Sequence, residues 1–275
     1  METFEAGELT VKETDGLELR FGNAEAVVKL TEMIGERKGF GDVLAEGSAR
    51  ASERLGCGAD FLITSKGQEA PAHMPHVKRS LALIYATNPF GADHMSSDHD
   101  PFYETGFEGV KERLGLLGLT KPQKPQSLTP EKVTFARKTQ YLYSLMDSVN
   151  ICHFVYGPSW QLYGPGEILG MVQAVTGWDV TLEELLTVGE RRLNMMRAFN
   201  GREGIGRTQD RLPDKFFRVP LKGGPSDGFH VDKVEFDAAL DEYYRQSGWE
   251  AGSGLPTRKT LERLDLGWVA DALQL

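Results

Sequence analysis

The sequence feature that most constrains the fold is a strong helix start at Thr129. A threonine side chain can accept a hydrogen bond from the first helical turn, and Pro130 suits the first helical position, where no N–H is needed. Glu131 adds negative charge at the positive end of the helix. Behind this start, apolar residues recur at the spacing of one helical face; they are Val133, Ala136, Leu142, Leu145, Met146 and Val149. A long helix with such a stripe must bury it against other helices.

Further helices are predicted from the same periodicity and from cap residues. Asn23, Thr181 and Asp232 can each cap a helix, and apolar residues follow them at three- and four-residue spacing. The predicted helices are Asn23–Lys38, Asp42–Leu55, Arg79–Thr87, Pro165–Thr176, Thr181–Asn200 and Asp232–Gln246. The clearest strand signal is the short β-branched run Phe61–Ser65. The sequence therefore predicts a mainly α, multihelical fold with few short strands.

A change of pattern after residue 65 predicts a domain boundary. The segment Gly67–Pro75 carries two prolines and indicates an irregular connection. Residues 1–65 would then form a helical hairpin with a short strand, and residues 66–275 a helical carboxy-terminal domain. Within the second part, the proline-containing stretch Lys121–Thr129 indicates an exposed linker.

Composition and charge exclude several classes of function. The chain has 31 Lys and Arg residues against 40 Asp and Glu, a net charge of −9, and its basic residues are scattered, so no nucleic acid partner is expected. No apolar run approaches the roughly 18 to 20 residues of a membrane span, and the acidic start does not resemble a leader. Two distant cysteines form neither a disulfide framework nor a CxxC metal site. These features predict a cytoplasmic protein without a membrane partner.

The end of the long helix gathers four chemically useful side chains. Asp147 offers a carboxylate, Asn150 an amide, Cys152 a thiol and His153 an imidazole. A carboxylate can accept N–H bonds from an amino-substituted ring, and a thiolate suits iron or another soft metal. Spacing alone favours the plainer alternative of a helix end with one buried thiol, because free cysteine is among the most buried residue types.

Other polar residues are weaker candidates when taken one by one. His94 follows a predicted turn and by itself indicates a structural or surface histidine. Residues 98–100, Asp-His-Asp, have the composition of a hard-metal or proton-relay cluster, but a solvated loop is the favoured interpretation. His73 and His76 lie at a proline-rich turn. Cys57 has no cysteine or histidine partner at ligand spacing, so it is predicted to be a packed thiol at a helix end.

Nearly the whole chain carries short sequence motifs that occur together in one family. They are Asp15–Ala26, Glu36–Gly41, Leu44–Gly47, Lys66–Ala72, Tyr85–Asn88, Gly91–His94, Arg202–Gly204, Asp210–Pro213, Tyr243–Tyr244, Gly248–Trp249 and Pro256–Thr257. In order and content these motifs resemble the aldehyde:ferredoxin oxidoreductases, which are tungstopterin iron–sulfur enzymes. The resemblance covers the carboxy-terminal domains of that family and implies their multihelical fold, with residues 1–65 as part of the second family domain.

The resemblance also implies roles for individual residues. The family motif D-x-x-G-L-C-x supplies a pterin-contacting aspartate and the last of four cysteines that hold a four-iron cluster. By this match Asp147 would contact the pterin, and Cys152 would be a metal ligand of the cluster. Asn150 and Ile151 occupy cofactor-binding positions where glycine and leucine are usual, which affects the backbone approach to the pterin. His94 matches a family histidine near the tungsten and would act catalytically, by donating a hydrogen bond or shuttling a proton.

The chain departs from the family pattern around these residues. After the histidine the family often has an aliphatic and then a basic residue, whereas Met95 and Ser96 stand here. Where His73 and His76 lie, family members more commonly show a Tyr-Asp-Pro-Arg type sequence. The departures imply different contacts to substrate or cofactor, and they argue against a shared family role for these two histidines.

The resemblance implies a function for the parent enzyme. A tungsten bis-pterin would oxidise an aldehyde, or a related oxo compound, to a carboxylate, and a 4Fe-4S cluster would pass electrons to ferredoxin. The family's C-x-x-C-x-x-x-C motif has no counterpart in the sequence. We therefore expect the chain to be incomplete alone, to need an amino-terminal pterin-binding domain or chain, and to associate with it or with itself through an apolar patch. The alternative is a non-catalytic helical scaffold or partner-binding remnant without cofactors.

Overall fold

The computed structural model describes residues 1–105 and 109–275, and this part of the chain is mainly α. Its fourteen helices are α1 (Glu2–Glu5), α2 (Ala24–Glu36), α3 (Phe40–Leu44), α4 (Ser48–Leu55), α5 (Arg79–Thr87), α6 (Asp100–Thr105), α7 (Val110–Leu116), α8 (Pro130–Ser148), α9 (Pro165–Thr176), α10 (Leu182–Arg202), α11 (Lys215–Arg218), α12 (Lys233–Ser247), α13 (Arg258–Arg263) and α14 (Gly267–Ala272). The two strands are β1 (Thr64–Ser65) and β2 (Gln68–Glu69). The multihelical fold predicted from the sequence is confirmed. None of the described helices has the length and apolar character needed to cross a membrane.

Local capping bonds set the predicted helix starts. Thr129 Oγ1 accepts a hydrogen bond from the Lys132 amide at 3.2 Å where α8 begins. At the start of α10, Thr181 Oγ1 accepts a hydrogen bond from the Glu184 amide at 3.2 Å. The Glu184 side chain accepts one from the Thr181 amide at 2.8 Å. This reciprocal pair is a capping box. Because the partners are three residues apart, sequence alone was enough to find both starts.

The single helix predicted over Asp42–Leu55 is wrong, because the chain divides it into α3 and α4. Gly47 separates the two with φ +89°, in the left-handed region that favours glycine. Glycine has no side chain that could cap α4. The Glu69 carboxylate takes that role, because it accepts a hydrogen bond from the Ser48 amide at 2.7 Å. The break depends on a residue from β2, which helical periodicity does not report.

The strand predicted over Phe61–Ser65 is shorter and forms one half of a hairpin. β1 and β2 pair antiparallel, with Thr64 opposite Glu69. Lys66 begins the turn between them with φ +52°. The boundary expected between residues 65 and 66 falls within this turn and stays a prediction.

The core is organised around α8, which packs against α5, α10 and α12. Every residue of α5 is buried, so the segment that carries His94 begins at an interior point of the fold. A separate apolar cluster gathers the amino-terminal elements; its buried members are Phe4, Leu9, Leu19, Ala26 and Phe40.

The close contact between α8 and α10 leads to a stability prediction. A Cβ at Gly189 would lie 1.9 Å from the Tyr141 carbonyl oxygen and 2.8 Å from the Leu145 nitrogen. Gly189→Ala should destabilise the fold by roughly 1–3 kcal/mol, because two helix backbones would have to separate. Gly170→Ala, at an open position of α9, should instead stabilise it by roughly 0.5–1 kcal/mol. Urea unfolding measures both, and equal free energies would contradict the close packing.

Candidate functional site

A Schellman motif closes the carboxy-terminal end of α8. The Ile151 amide donates to the Met146 carbonyl at 3.1 Å, and the Asn150 amide donates to the Asp147 carbonyl at 3.3 Å. Asn150 has φ +58°, the left-handed conformation that this motif requires, and Ile151 packs against the core beside α8. Asparagine is one of the few residues besides glycine that adopt this conformation routinely. Asn150 therefore supports the backbone path that glycine would take.

The conformation of Asn150 can be tested by two substitutions. Asn150→Gly should leave the free energy of unfolding within about 0.5 kcal/mol of the original, since glycine also favours positive φ. Asn150→Val should cost roughly 1–2 kcal/mol, because a branched Cβ clashes in the left-handed region. Thermal and urea unfolding measure the two effects, and equal stability of both variants would argue against a left-handed residue 150.

Of the four residues predicted at this helix end, Asp147 and His153 contact each other, and Arg192 joins them. Cys152 is exposed directly after the motif. The Asp147 side chain is 40% exposed, with one oxygen 3.1 Å from His153 Nε2 and the other 3.0 Å from Arg192 Nη1. Sequence reasoning missed Arg192, because its approach depends on the packing of α10 against α8.

The cofactors implied by the resemblance fit this end of α8 in part. A half-exposed carboxylate such as Asp147 suits the N–H groups of a pterin, and the exposed Cys152 thiol can serve as one cluster ligand. Cys57 lies in the amino-terminal apolar cluster, where burial and then Glu8 raise the pKa of its thiol. Within the described ranges, no group of three or more His, Cys, Asp or Glu side chains could hold a metal ion. The described residues thus offer one cluster ligand and not a complete set.

His94 carries an unsatisfied polar atom in the segment after α5. Its Nδ1 is buried and has no hydrogen-bond partner among the residues that the structure describes, and its accessible Nε2 has none either. Buried polar atoms without partners are uncommon in folded proteins. Met95 packs into the core beside α8, and Ser96 Oγ donates to Asp93 at 2.5 Å. The imidazole therefore retains hydrogen-bonding capacity for a ligand, next to a position that carries no positive charge.

A cluster of imidazoles around Lys78 includes His94. The ring centroids of His73 and His94 are 4.8 Å apart, and those of His73 and His99 are 4.6 Å apart. Lys78 Nζ lies 3.0 Å from His73 Nδ1 and 2.9 Å from His99 Nδ1. His76 is not part of this cluster, since its Nε2 bonds a distant backbone carbonyl at 3.2 Å. Sequence reasoning noted each histidine separately, but only the tertiary fold brings three of them together.

The expectation of a solvated loop at residues 98–100 is wrong. Asp98 and Asp100 are both fully buried. Asp98 accepts a hydrogen bond from the Ser159 hydroxyl, and Asp100 accepts one from Lys132 Nζ at 2.6 Å. A buried carboxylate is tolerated when it is paired and hydrogen-bonded. Because both partners come from distant parts of the chain, the local sequence did not reveal the burial.

Two groups here should give opposite dependences of stability on pH. Burial raises the pKa of Asp98 to about 6 and lowers that of His99 to about 4. Asp98 binds its proton more tightly in the folded state. Its contribution to the free energy of unfolding is therefore present below about pH 4 and is lost as the pH rises through about 6. His99 binds its proton less tightly when folded. Its contribution is therefore present above about pH 6.5 and is lost as the pH falls toward about 4.

Removing the Asp98 titration should expose the effect of His99. In the original protein, the stabilising contribution of Asp98 is lost between roughly pH 4 and 6. Asp98→Asn removes this loss, so the unfolding free energy of the variant should rise by about 3 kcal/mol more than that of the original protein over the same range. Urea unfolding at several pH values measures this difference against the original protein. Parallel profiles for the two proteins would show that Asp98 does not titrate in this window.

Polar contacts link the histidine cluster with the end of α8. Ser159, which contacts Asp98, donates its amide to Gln161 Oε1 at 3.1 Å, and Gln161 Nε2 donates to the Tyr143 hydroxyl at 2.9 Å. The Tyr143 ring lies 5.0 Å from that of His153, which pairs with the helix-end carboxylate. The two parts of the candidate site are therefore joined through one network.

Comparison with known proteins finds one matching family model and several relatives. Residues 1–266 match the family model described as "Aldehyde ferredoxin oxidoreductase, domains 2 & 3". The tungsten-containing aldehyde ferredoxin oxidoreductases of Pyrococcus abyssi and Thermococcus kodakarensis are 32% and 34% identical to the chain, each over 95% of its length. The "aliphatic sulfonate oxidoreductase, WOR-like subunit" of Pyrococcus furiosus is 26% identical over 97% of the chain. The chain spans 40%, 40% and 38% of these relatives, respectively.

A solved structure shares the fold. It is described as "Active site complex BamBC of Benzoyl Coenzyme A reductase in complex with 1,5 Dienoyl-CoA", and it superposes with a TM-score of 0.71 over 98% of this chain and 43% of that chain. The sequence identity is 22%, so the similarity shows the fold alone.

Proposed function

The chain belongs to the aldehyde ferredoxin oxidoreductase family, since residues 1–266 match the model for that family's domains 2 and 3, and we propose that it forms one side of a tungstopterin iron–sulfur site. The proposed reaction oxidises an aldehyde, or a related oxo compound, with water to a carboxylate, and its electrons pass through a 4Fe-4S cluster to ferredoxin. The observation that carries the proposal is the exposed Cys152 thiol, which directly follows the Schellman end of α8 and the half-exposed Asp147.

Each residue would have a separate task in this site. When bound, the tungsten–pterin group would supply the oxidation chemistry, and the protein would position and shield it. The two Asp147 oxygens, which contact His153 and Arg192, would accept hydrogen bonds from pterin N–H groups. Cys152 would provide one thiolate to the cluster. His94 would hold or accept a proton at Nε2, its accessible nitrogen without a partner among the described residues.

The surface after Cys152 fits a protein partner. Four large side chains are exposed there: Phe154 (63%), Trp160 (40%), Leu162 (69%) and Tyr163 (41%). The Phe154 and Trp160 rings contact each other, with centroids 5.6 Å apart, and exposed apolar surface commonly marks an interaction site. We therefore propose that a domain or chain carrying the C-x-x-C-x-x-x-C motif and the pterin-binding fold covers this patch and completes the cluster. Self-association and a cytoplasmic location also stay predictions.

Anaerobic coexpression tests the proposal. The chain is purified alone and together with an amino-terminal family segment that carries C-x-x-C-x-x-x-C, and tungsten, iron and visible absorbance are measured. Metals and a broad visible absorbance are expected only in the joint sample, which should then reduce ferredoxin with an aldehyde. A joint complex without either metal would instead favour the non-catalytic scaffold.

A further inference from the structure

The cluster around Lys78 has a hydrogen-bonding arrangement that determines where its protons lie. Lys78 Nζ is within 3.0 Å of His73 Nδ1 and 2.9 Å of His99 Nδ1. An ammonium group has three donors and no acceptor, so both Nδ1 atoms must accept. Each neutral ring can then carry its proton only on Nε2. Lys78 thus selects the same tautomer in two histidines at once.

The second nitrogen of each ring has a different environment. His99 Nε2 donates to the His94 carbonyl at 2.9 Å, so that N–H is used within the protein. His73 Nε2 has no partner among the described residues and is accessible. The arrangement therefore leaves His73 as an N–H donor at its accessible Nε2, with the accessible Nε2 of His94 on the adjacent ring.

We infer that His73 and His94 form a binding site for one carboxylate group, with Lys78 as the positioning residue that holds His73 as a donor. The inference rests on the proposed function, because a carboxylate is the product of that reaction and His94 is its proposed catalytic residue. The two ring centroids are 4.8 Å apart, so one small oxygen-bearing group can reach both rings. His73 is the new element, since this position departs from the sequence that the family usually has.

The charges behind the rings leave Lys78 available to attract an anion. Asp100 is paired with Lys132 at 2.6 Å and also accepts from the Ser80 amide at 3.0 Å. Asp98 points to the Ser159 hydroxyl, and neither carboxylate lies within 4.0 Å of Lys78 Nζ in the part of the chain that is described. Asp100 and then Asp98 still act on Lys78 through space and oppose an incoming anion. We therefore expect the carboxylate to bind with a dissociation constant on the order of 1 mM, which corresponds to a binding free energy of about −4 kcal/mol.

Nuclear magnetic resonance of the 275-residue chain can test both the tautomers and the binding. Long-range proton–nitrogen spectra distinguish Nε2–H from Nδ1–H rings, and acetate is added as the probe at constant ionic strength. Lys78→Met removes the donor, whereas Lys78→Arg keeps a cation that can only donate. Lys124→Met, on the exposed linker, is the matched control for loss of one lysine. The exposed His230 reports non-specific acetate effects.

The expected result is an Nε2–H tautomer for His73 and His99, and a saturable acetate shift confined to His73 and His94. Affinity should fall about tenfold in Lys78→Met, because His73 is no longer held as an Nε2–H donor and a nearby positive charge is lost, and be retained in Lys78→Arg and Lys124→Met. His73→Phe should abolish the saturable shift and provides a test that does not depend on how Lys78→Met folds.

An Nδ1–H tautomer at His73, or acetate shifts that grow linearly and equally at His230, would overturn the inference. Metal loading in the coexpression experiment is a separate readout. Acetate binding without metal uptake would refute the proposed oxidoreductase while leaving the carboxylate site. Metal uptake without acetate binding would refute the carboxylate site while leaving the proposed oxidoreductase.

Discussion

Replacing Cys152 with alanine should remove the iron–sulfur cluster from the assembled protein while leaving the fold of the chain intact. The thiol is exposed and follows the last bonds of the Schellman motif, so its loss opens no core cavity. Exposed substitutions of this kind usually change stability by no more than about 0.5 kcal/mol. In the coexpressed sample, however, one of the proposed cluster ligands would be missing. Iron content and visible absorbance should therefore fall to the level of the chain alone.

Cys57→Ala is the matched control for this result. Cys57 packs with the amino-terminal apolar cluster, away from the proposed ligand set. Its substitution should lower thermal stability slightly and leave iron content unchanged. Full iron content in Cys152→Ala, or equal iron loss in both variants, would show that Cys152 is not a cluster ligand.

Neutralising Asp210 should produce the largest loss of folding stability among the substitutions considered. Arg197 contacts both Asp210 oxygens, at 2.9 and 2.6 Å, Lys66 Nζ lies 2.8 Å away, and the Tyr244 hydroxyl donates at 2.5 Å. The Arg197 and Asp210 side chains are fully buried, and that of Lys66 is 5% exposed. Asp210→Asn would leave two cations in the core without their carboxylate. Breaking a buried pair in this way costs roughly 3–5 kcal/mol.

A surface ion pair provides the control for Asp210→Asn. Asp237 on α12 accepts two hydrogen bonds from Lys233 at 2.5 and 2.6 Å, but its side chain is 48% exposed. Asp237→Asn should therefore cost no more than about 0.5 kcal/mol. Urea unfolding of both variants at neutral pH compares them directly. A similar small cost for both variants would mean that other groups stabilise the buried cations Arg197 and Lys66 without Asp210.

Features that depend on neighbouring residues could be predicted from the sequence. The starts of α8 and α10 follow from caps at Thr129 and Thr181, whose partners lie three residues away. The helix-end residues Asp147 and Cys152 belong to one contiguous motif, and both side chains are at least partly exposed at the end of α8. Their proposed roles in cofactor binding come from the family resemblance and stay proposals.

Features that depend on distant partners were decided only by the tertiary structure. The carboxylate of Asp98 is buried because Ser159 reaches it, and Lys78 gathers His73 and His99 from a turn and a loop. Two of the family-like motifs, which begin at Lys66 and Asp210, likewise meet in one buried ion cluster.

The physical reason lies in the range of the interactions. A helix cap or a Schellman bond closes within one helical turn, so its residues are adjacent in the printed sequence. A buried charge is stable only where its partners are placed beside it, and those partners depend on how whole helices pack. The sequence by itself therefore determined the longer helices and the residues at the end of α8, whereas the break between α3 and α4 depended on Glu69. Packing around α8 determined which charges are buried and which imidazoles share one site.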